Sequence, residues 1–489
     1  MTKFGRVKAL ALGASASGLL FSPLHAETLQ EAFVKAYRNN PTLTGARANQ
    51  RALDEQVNIV RADGRPAADA SANYTEQLHQ EASSAFSGTG PRRSLTGQAQ
   101  LSVPIYSGGI VRNSLNAAKL RVQAGQNDLR ATEASIFSAV VGAYLDVIRD
   151  SEIVNLRAQN VEALDFNLRG SRDRFEVGDL TRTDVAQSES RLAIAQSDLQ
   201  AAQAQLIASK ENYTALVGTP PTTLETPPPL PGLPTSAETA SAVALSDNAD
   251  IRAAGKGRDA ARYDVKAAKG QVMPRLSAFA TANYNNYLNS VENDGLAALY
   301  NAQTSAAAGA TITLPLYQGG RPGASARQAA ARESAAIELT VEVERSVIAQ
   351  VRGAYASWQA SLRSIEATQK AVDATQLSLE GVKAENSVGA RTILDILNAQ
   401  QEALNARVQL VSAKRNAYVA AFSLLAAMGH AEARDMGLDP ATLYDPQAAY
   451  QRTSGKLIDF DFPRQPQGIA QSTRDSKPAD TQPIVVPGY

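Results

Sequence analysis

Past the first 26 residues, His79 and His430 are the only side chains whose ordinary pKa lies near neutrality, and the 489-residue chain contains no cysteine. Without a thiol there is no disulfide scaffold, thiolate zinc site, iron–sulfur cluster or cysteine nucleophile. His79 falls at a strand end or in a loop and His430 just past a helix. Neither has a metal-ligating or nucleophilic partner in the pattern, so surface or capping roles are expected of both. No catalytic constellation follows, and the chain reads as a non-enzyme with no cofactor and no metal. The chemistry that remains is that of charge and amide groups around two glycine-bearing turns, Arg174–Val185 and Ser387–Ile396.

Those turns must be carried by something long. The hydrophobic fraction is 44%, much of it alanine, while aromatic residues make up only 6%. Small side chains suit closely packed helices better than a thick globular core. The 48 Lys+Arg and 48 Asp+Glu residues balance, which argues against nucleic acid as a partner. At the N-terminus, Lys3, Arg6 and Lys8 precede an apolar stretch, Ala9–Phe21, and Leu24-His25-Ala26 offers a small-residue cleavage site before Glu27. Residues 1–26 are therefore expected to be a secretory signal peptide, whose removal leaves a slightly acidic exported chain. Glu27 stands where a lipid anchor would need cysteine. No later run of 18 apolar residues suggests a transmembrane helix.

The chain repeats itself. Pro104-Ile105-Tyr106-Ser107-Gly108-Gly109 returns as Pro315-Leu316-Tyr317-Gln318-Gly319-Gly320. The same spacing maps Gly142-Ala143-Tyr144 onto Gly353-Ala354-Tyr355, Val177-Gly178 onto Val388-Gly389, Asp184 onto Asp395, and Gly218 onto Gly429. So many identities without an insertion mean two copies of one unit. The expected organisation is a first repeat over 27–219, a proline-rich linker over 220–240, a second repeat over 241–430 and a polar, partly disordered tail over 431–489.

Each unit has the same order of elements. Residues 28–62 read as a helix. Strand-like segments follow near Ser71–Gln80 and Ser94–Ile105, with copies near Leu276–Tyr287 and Ala306–Leu316. In Ser94–Ile105 the odd positions are Leu95, Gly97, Ala99, Leu101, Val103 and Ile105, and the even ones are polar. That period of two marks a strand with one apolar face, suited to a soluble core or to a membrane barrel. After the double glycine, 110–174 runs without proline and is dense in helix formers. A second arm, 183–217, carries apolar residues seven apart at Val185, Leu192, Leu199, Leu206 and Tyr213, echoed by Leu397, Leu404, Val411, Tyr418 and Leu425. This heptad spacing predicts an antiparallel coiled-coil hairpin. The short arm matches the long one only if 28–62 is stacked end to end with it.

With these elements in order, the sequence resembles the TolC family of outer-membrane channels. The likeness rests on the Asn39-Asn40-Pro41 helix start, the Pro-x-Tyr-x-Gly-Gly joints (Pro104, Tyr106, Gly108, Gly109; Pro315, Tyr317, Gly319, Gly320) and the two turn motifs, across roughly 28–430. The resemblance implies a mainly α protein with a small β part. Three chains would form a tapering α-barrel joined to a shared 12-stranded outer-membrane β-barrel, four strands from each. It implies a homotrimer in outer-membrane lipid, reaching into the periplasm and working with a periplasmic adaptor protein and an inner-membrane ABC or proton-driven transporter in type I secretion or multidrug efflux. Carried over residue by residue, it places Asp395 in a carboxylate ring at the periplasmic entrance. Asn398 stands where a second Asp is usual. Arg391 becomes the tether of a gate with Asp184 as partner, and Asn386 stands where a Tyr often completes the network. Val177, Gly178, Leu180, Thr181, Val388 and Gly389 would form the adaptor-docking tips. Asp184 at a helix start also fits a simple cap. The rival reading is a secreted coiled-coil structural or filament protein, which would have no use for the paired strands.

Overall fold

The computed structural model describes residues 26–79, 91–290, 301–462, 465–484 and 486. The signal-peptide stretch up to residue 25 and the expected strand end at Gln80 lie outside the described residues.

The region expected as one helix is two, α1 (Leu29–Asn39) and α2 (Pro41–Ala62). Asn40 makes the break, with extended backbone and a side-chain oxygen that accepts from the amides of Thr42 (3.0 Å) and Leu43 (3.3 Å). Pro41 then begins α2, where the N–H it lacks would have had no helical partner. Asn248 repeats the device between α5 (Ala237–Asp247) and α6 (Ala249–Lys269).

Four strands follow the alternating segments, with shifted ends: β1 (Ala67–Glu76), β2 (Arg93–Ser107), β3 (Arg275–Asn286) and β4 (Ala302–Thr313). They form one antiparallel sheet in the order β1-β2-β3-β4. The β2–β3 register shifts between Pro104 and Tyr106, where proline has no amide for the ladder. Two long helices leave the sheet, α3 (Ile110–Glu176) and α7 (Arg321–Ser387), each of 67 residues and so about 100 Å long. Each turns back into a 36-residue arm, α4 (Arg182–Val217) or α8 (Ile393–Met428).

Contacts between elements set these parts in a wall. On one side α3 packs against α2 and α4, on the other against α6 and α8; α7 follows beyond α6 and α8. The wall therefore has four staves in sequence: α2 with α4, then α3, then α6 with α8, then α7. Each stave continues into one strand in the same order. The stacking of two short helices beside a long one is thus present twice, and the contact of α3 with α6 and α8 joins the repeats.

The main core lies partway along the wall, where α1 and the linker fill it. Phe33 packs against Phe137 at 4.7 Å between ring centroids and against Phe422 at 5.9 Å. Glu27 is buried here: its carboxylate accepts from Lys35 and from the Tyr213 hydroxyl, each at 2.7 Å, and the Tyr144 hydroxyl donates to its carbonyl at 2.7 Å. One stretch of α3 is long and apolar enough, by mean hydropathy, to cross a membrane, but 56% of it is buried inside the protein, as in a core helix. Beyond α8 the tail forms α9 (Pro446–Thr453) against α2 and later returns to the core, where Lys210 bonds Asp480 at 2.6 Å and the Ile484 amide bonds Ser151.

Candidate gate at the two hairpin tips

The turns between α3 and α4 and between α7 and α8 are built alike. Val177 ends α3; the Gly178 amide donates to the Phe175 carbonyl (3.0 Å) and the Asp179 amide to that of Arg174 (2.8 Å). In the second tip Gly389 donates to Asn386 and Ala390 to Glu385, both at 2.9 Å. This double bond pattern closes a helix end and needs a left-handed residue after the cap. Gly178 (φ 83°) and Gly389 (φ 82°) supply it, and neither meets another atom where a Cβ would stand. Conformation, not crowding, is what requires glycine here. Val177 and Val388 are each 80% exposed at the extreme ends, with Leu180 half-buried behind the first.

The returning helices begin with identical capping boxes. The Thr181 amide donates to the Asp184 carboxylate at 2.9 Å while the Asp184 amide donates back to the Thr181 hydroxyl at 3.3 Å. Thr392 and Asp395 repeat both bonds at 2.9 and 3.3 Å. The Thr181 hydroxyl and then its amide hold the Asp184 carboxyl below the usual range, and the Thr392 amide and hydroxyl do the same for Asp395. Both carboxylates are therefore ionised over the ordinary pH range.

Charge separates the tips. In the first, Arg174 bonds Asp179 at 2.7 Å. In the second, Arg391 bonds Glu385 at 2.7 Å, and the Asn386 amide donates to the Arg391 carbonyl at 2.6 Å. The hydrogen bond that Arg391 donates to Glu385 holds its guanidinium above its usual pKa. Both ion pairs are about half exposed, so each contributes little to stability. The partner expected for Arg391 was Asp184. Within one chain, the carboxylate that Arg391 bonds is Glu385, because Asp184 is engaged in its own cap and Glu385 lies on the same turn as the arginine.

Around Asn398, a residue the sequence singled out, the structure gathers others that sequence reasoning missed. Arg191 on α4 donates to Asn398 on α8 at 2.8 Å, so Asn398 ties one hairpin to the other. Gln400 extends the tie by donating to Asn160 (3.1 Å) and accepting from Asn167 (3.2 Å). Leu164, Leu168, Leu192 and Leu397 pack between these amides. The heptads pointed to Leu192 and Leu397, but no periodic signal marked Leu164, Leu168 or the amides.

The joints at the other end lie where the sequence put them. Pro104 and Tyr106 flank the β2 register shift, and Gly108 and Gly109 have positive φ just before α3. Pro315 and Tyr317 occupy the link after β4, and Gly319 and Gly320 repeat the positive φ before α7. His430 sits beside Asp247 at 3.2 Å and is 42% exposed.

Comparison with known proteins supplies the context. The family model described as outer membrane efflux protein matches residues 33–219 and again 241–430. The chain is 34% identical to the outer membrane efflux protein BepC of Brucella suis over 439 residues, covering 89% of this chain and 92% of that protein. It is 27% identical to the outer membrane protein TolC of Escherichia coli, covering 87% of each. The outer membrane channel CmeC of Campylobacter jejuni shares its fold, with a TM-score of 0.74 at 18% identity over 88% of this chain and 90% of that one.

Proposed function

The chain belongs to the outer membrane efflux protein family and is an outer-membrane channel for export and efflux; we propose that three copies share one such channel, continuous from the membrane to the tips. Proteins of this family are channels and not enzymes, and this chain performs no reaction of its own. Transport is passive, with energy supplied by an inner-membrane ABC or proton-driven transporter through a periplasmic adaptor docked at Val177, Gly178, Leu180, Thr181, Val388 and Gly389.

The observation that carries this reading is the open sheet. β1 and β4 are both edges, 10 and 12 residues long, and every residue of each is exposed. In a bilayer unpaired strand edges are not tolerated, so the sheet must close with other copies. Three copies supply twelve strands, an even number as antiparallel closure prefers. The staves have the same open ends, α2 with α4 at one and α7 at the other, so one head-to-tail contact closes both barrels.

At the tips, Asp395 from three copies forms a ring of ionised carboxylates that favours cations, and Arg391 holds the entrance narrow. Within its own chain Arg391 acts through Glu385 and Asn386, and Asp184 serves as its partner when the tips of neighbouring chains meet. Both proteins and small toxic compounds are the cargo, in keeping with relatives named for efflux and, in AprF of Pseudomonas aeruginosa, for alkaline protease secretion.

Because the chain has no cysteine, Ala70→Cys on β1 and Ala308→Cys on β4 introduce the only thiols. Treating outer membranes with a flexible bifunctional thiol reagent should give a ladder ending at three chains in the double variant and no ladder in either single one. A ladder stopping at two, or running past three, sinks the trimer.

A further inference from the structure

The tail contains a turn that the channel reading does not use. After α9 the chain climbs beside α2 toward the foot of the sheet. Asn58 donates to the Thr453 carbonyl (3.0 Å), Arg61 to that of Ser454 (2.7 Å) and Arg65 to that of Lys456 (3.2 Å). Arg65 stands two residues before β1, so Lys456 is fixed at the level where the wall meets the membrane sheet.

From there Lys456 bonds Asp461 at 2.7 Å and closes a turn across Leu457-Ile458-Asp459-Phe460. The side chains it displays are apolar and bare: Leu457 is 73% exposed, Ile458 74%, Phe460 84% and Phe462 76%. Phe460 and Phe462 touch edge to face at 6.5 Å. Four large apolar groups lie here within six residues on a pinned turn, as dense a cluster as Ile312, Leu314, Leu316 and Tyr317 at the membrane end of the wall. Such a cluster marks an interaction site.

We propose that the Lys456–Phe462 turn is an interfacial anchor that dips into the phospholipid leaflet facing the periplasm. Three observations select lipid as the occupant. The turn is continuous with the foot of the membrane sheet, where Tyr106 and Tyr317 are also exposed, at 51% and 89%. Aromatic rings at that depth are typical of membrane interfaces, one end apolar and one end wet. Arg61 and Arg65 stand behind the apolar groups, where phosphate headgroups would lie, and the Lys456–Asp461 pair neutralises two of the turn's three charges, leaving Asp459 to stay at the headgroup level. The anchor adds a lipid contact on the helical wall below the strands, made by chain that follows both repeats.

A tryptophan probe tests it. Trp358 is the single native tryptophan, so Phe460→Trp in a Trp358→Phe background reports on the turn alone. The variant is purified as the whole oligomer and reconstituted into phosphatidylethanolamine–phosphatidylglycerol vesicles with brominated acyl chains. An anchor seated roughly 5–10 Å into the interface should lose about half its emission to bromines placed high on the chains, and less to bromines near their ends. Phe166→Trp in the same background, far down α3 and 71% exposed, should lose none. If the indole introduced by Phe460→Trp is quenched by aqueous iodide and not by bromolipid, the turn is in water and the proposal fails. It also fails if neither quencher acts, because the turn is then buried against another copy. Subunit number and conductance of the same vesicles report separately on the channel, so its failure and the anchor's failure are distinguishable.

Discussion

α3 and α7 are copies of one another, equal in length and closed by the same glycine turn, yet they live in different surroundings. α3 buries residues from Ala117 to Ser171, including Phe137, Tyr144 and Ile148 with almost no exposure. In α7, among the described residues, only Pro322, Val347, Val351 and Leu379 are buried. The reason is position in the wall. α3 has a stave on each side, whereas α7 has one on a single side and is the end of its chain's row. Duplication gave both repeats the same elements, but a row of four staves has two ends. What is missing around α7 is a surface, which in the proposed trimer comes from the opposite end of another copy.

The sharpest way to break this comparison is on the bare side of α7. Ile337 and Val341 lie one helical turn apart and are both exposed, on the side away from Val343 and Val347, which pack into the cluster formed with α5 and α8. Replacing both with Asp should abolish trimers on size-exclusion in detergent while leaving the helical circular-dichroism signal. Full-strength trimers would mean that α7 has no neighbour in the assembled ring.

A second contrast lies in the matched tyrosines. Tyr144 is fully buried and donates to the carbonyls of Glu27 and Glu225 at 2.7 and 2.6 Å. Tyr355 is half-buried, donates to the Thr235 carbonyl at 2.9 Å and leans edge-on against Trp358. Tyr144→Ala should cost about 3–5 kcal/mol, by the usual loss for a buried aromatic. Tyr355→Ala should cost about 1 kcal/mol, the worth of one hydrogen bond. Denaturant titration of the two variants reads the difference, and equal losses would remove the asymmetry between the repeats.

The smallest effects belong to the tips, where backbone is shared and charge is not. Arg391→Ser should raise single-channel conductance severalfold in planar bilayers, whereas Leu180→Ser, at the matching position of the first tip, should leave it unchanged. Unchanged conductance in Arg391→Ser removes Arg391 from the gate. Asp395→Asn should reduce cation selectivity. The pKa of Asp395 is lowered in the fold, so its cap adds stability above the ordinary carboxylate value and loses it only as pH falls through a lower one. Selectivity should accordingly stay flat from about pH 8 to about pH 5. A sigmoidal loss inside that window would show that the ring is not set by these caps.

Much of this was legible in the chain. The repeat, the paired strands and the two hairpins follow from identities at one spacing, a period of two and heptads, because these record which face of an element is buried. Asn40-Pro41 was legible as a helix start; reading it also as the end of the helix before would have given α1 and α2. The Glu385 partner of Arg391 was harder, since many carboxylates lie within reach of an arginine at a turn and only side-chain geometry chooses among them. The contact of α3 with α6 and α8 had no periodic signature, because α3 carries no single apolar stripe along its length. The path of the tail was invisible for a similar reason: it is held by Asn58, Arg61 and Arg65 reaching its carbonyls, and a backbone carbonyl is the same for every residue type.

The unlike ends of the wall also have a genetic meaning. If every chain must receive α7 of one neighbour and offer its own α7 to the next, a copy spoiled at either end breaks the ring for its two sound partners. A cell making equal amounts of sound and end-defective chains would keep about one intact ring in eight, by random mixing of three subunits. Such alleles should be dominant, whereas alleles that merely unfold the chain, and so never reach the ring, should be recessive.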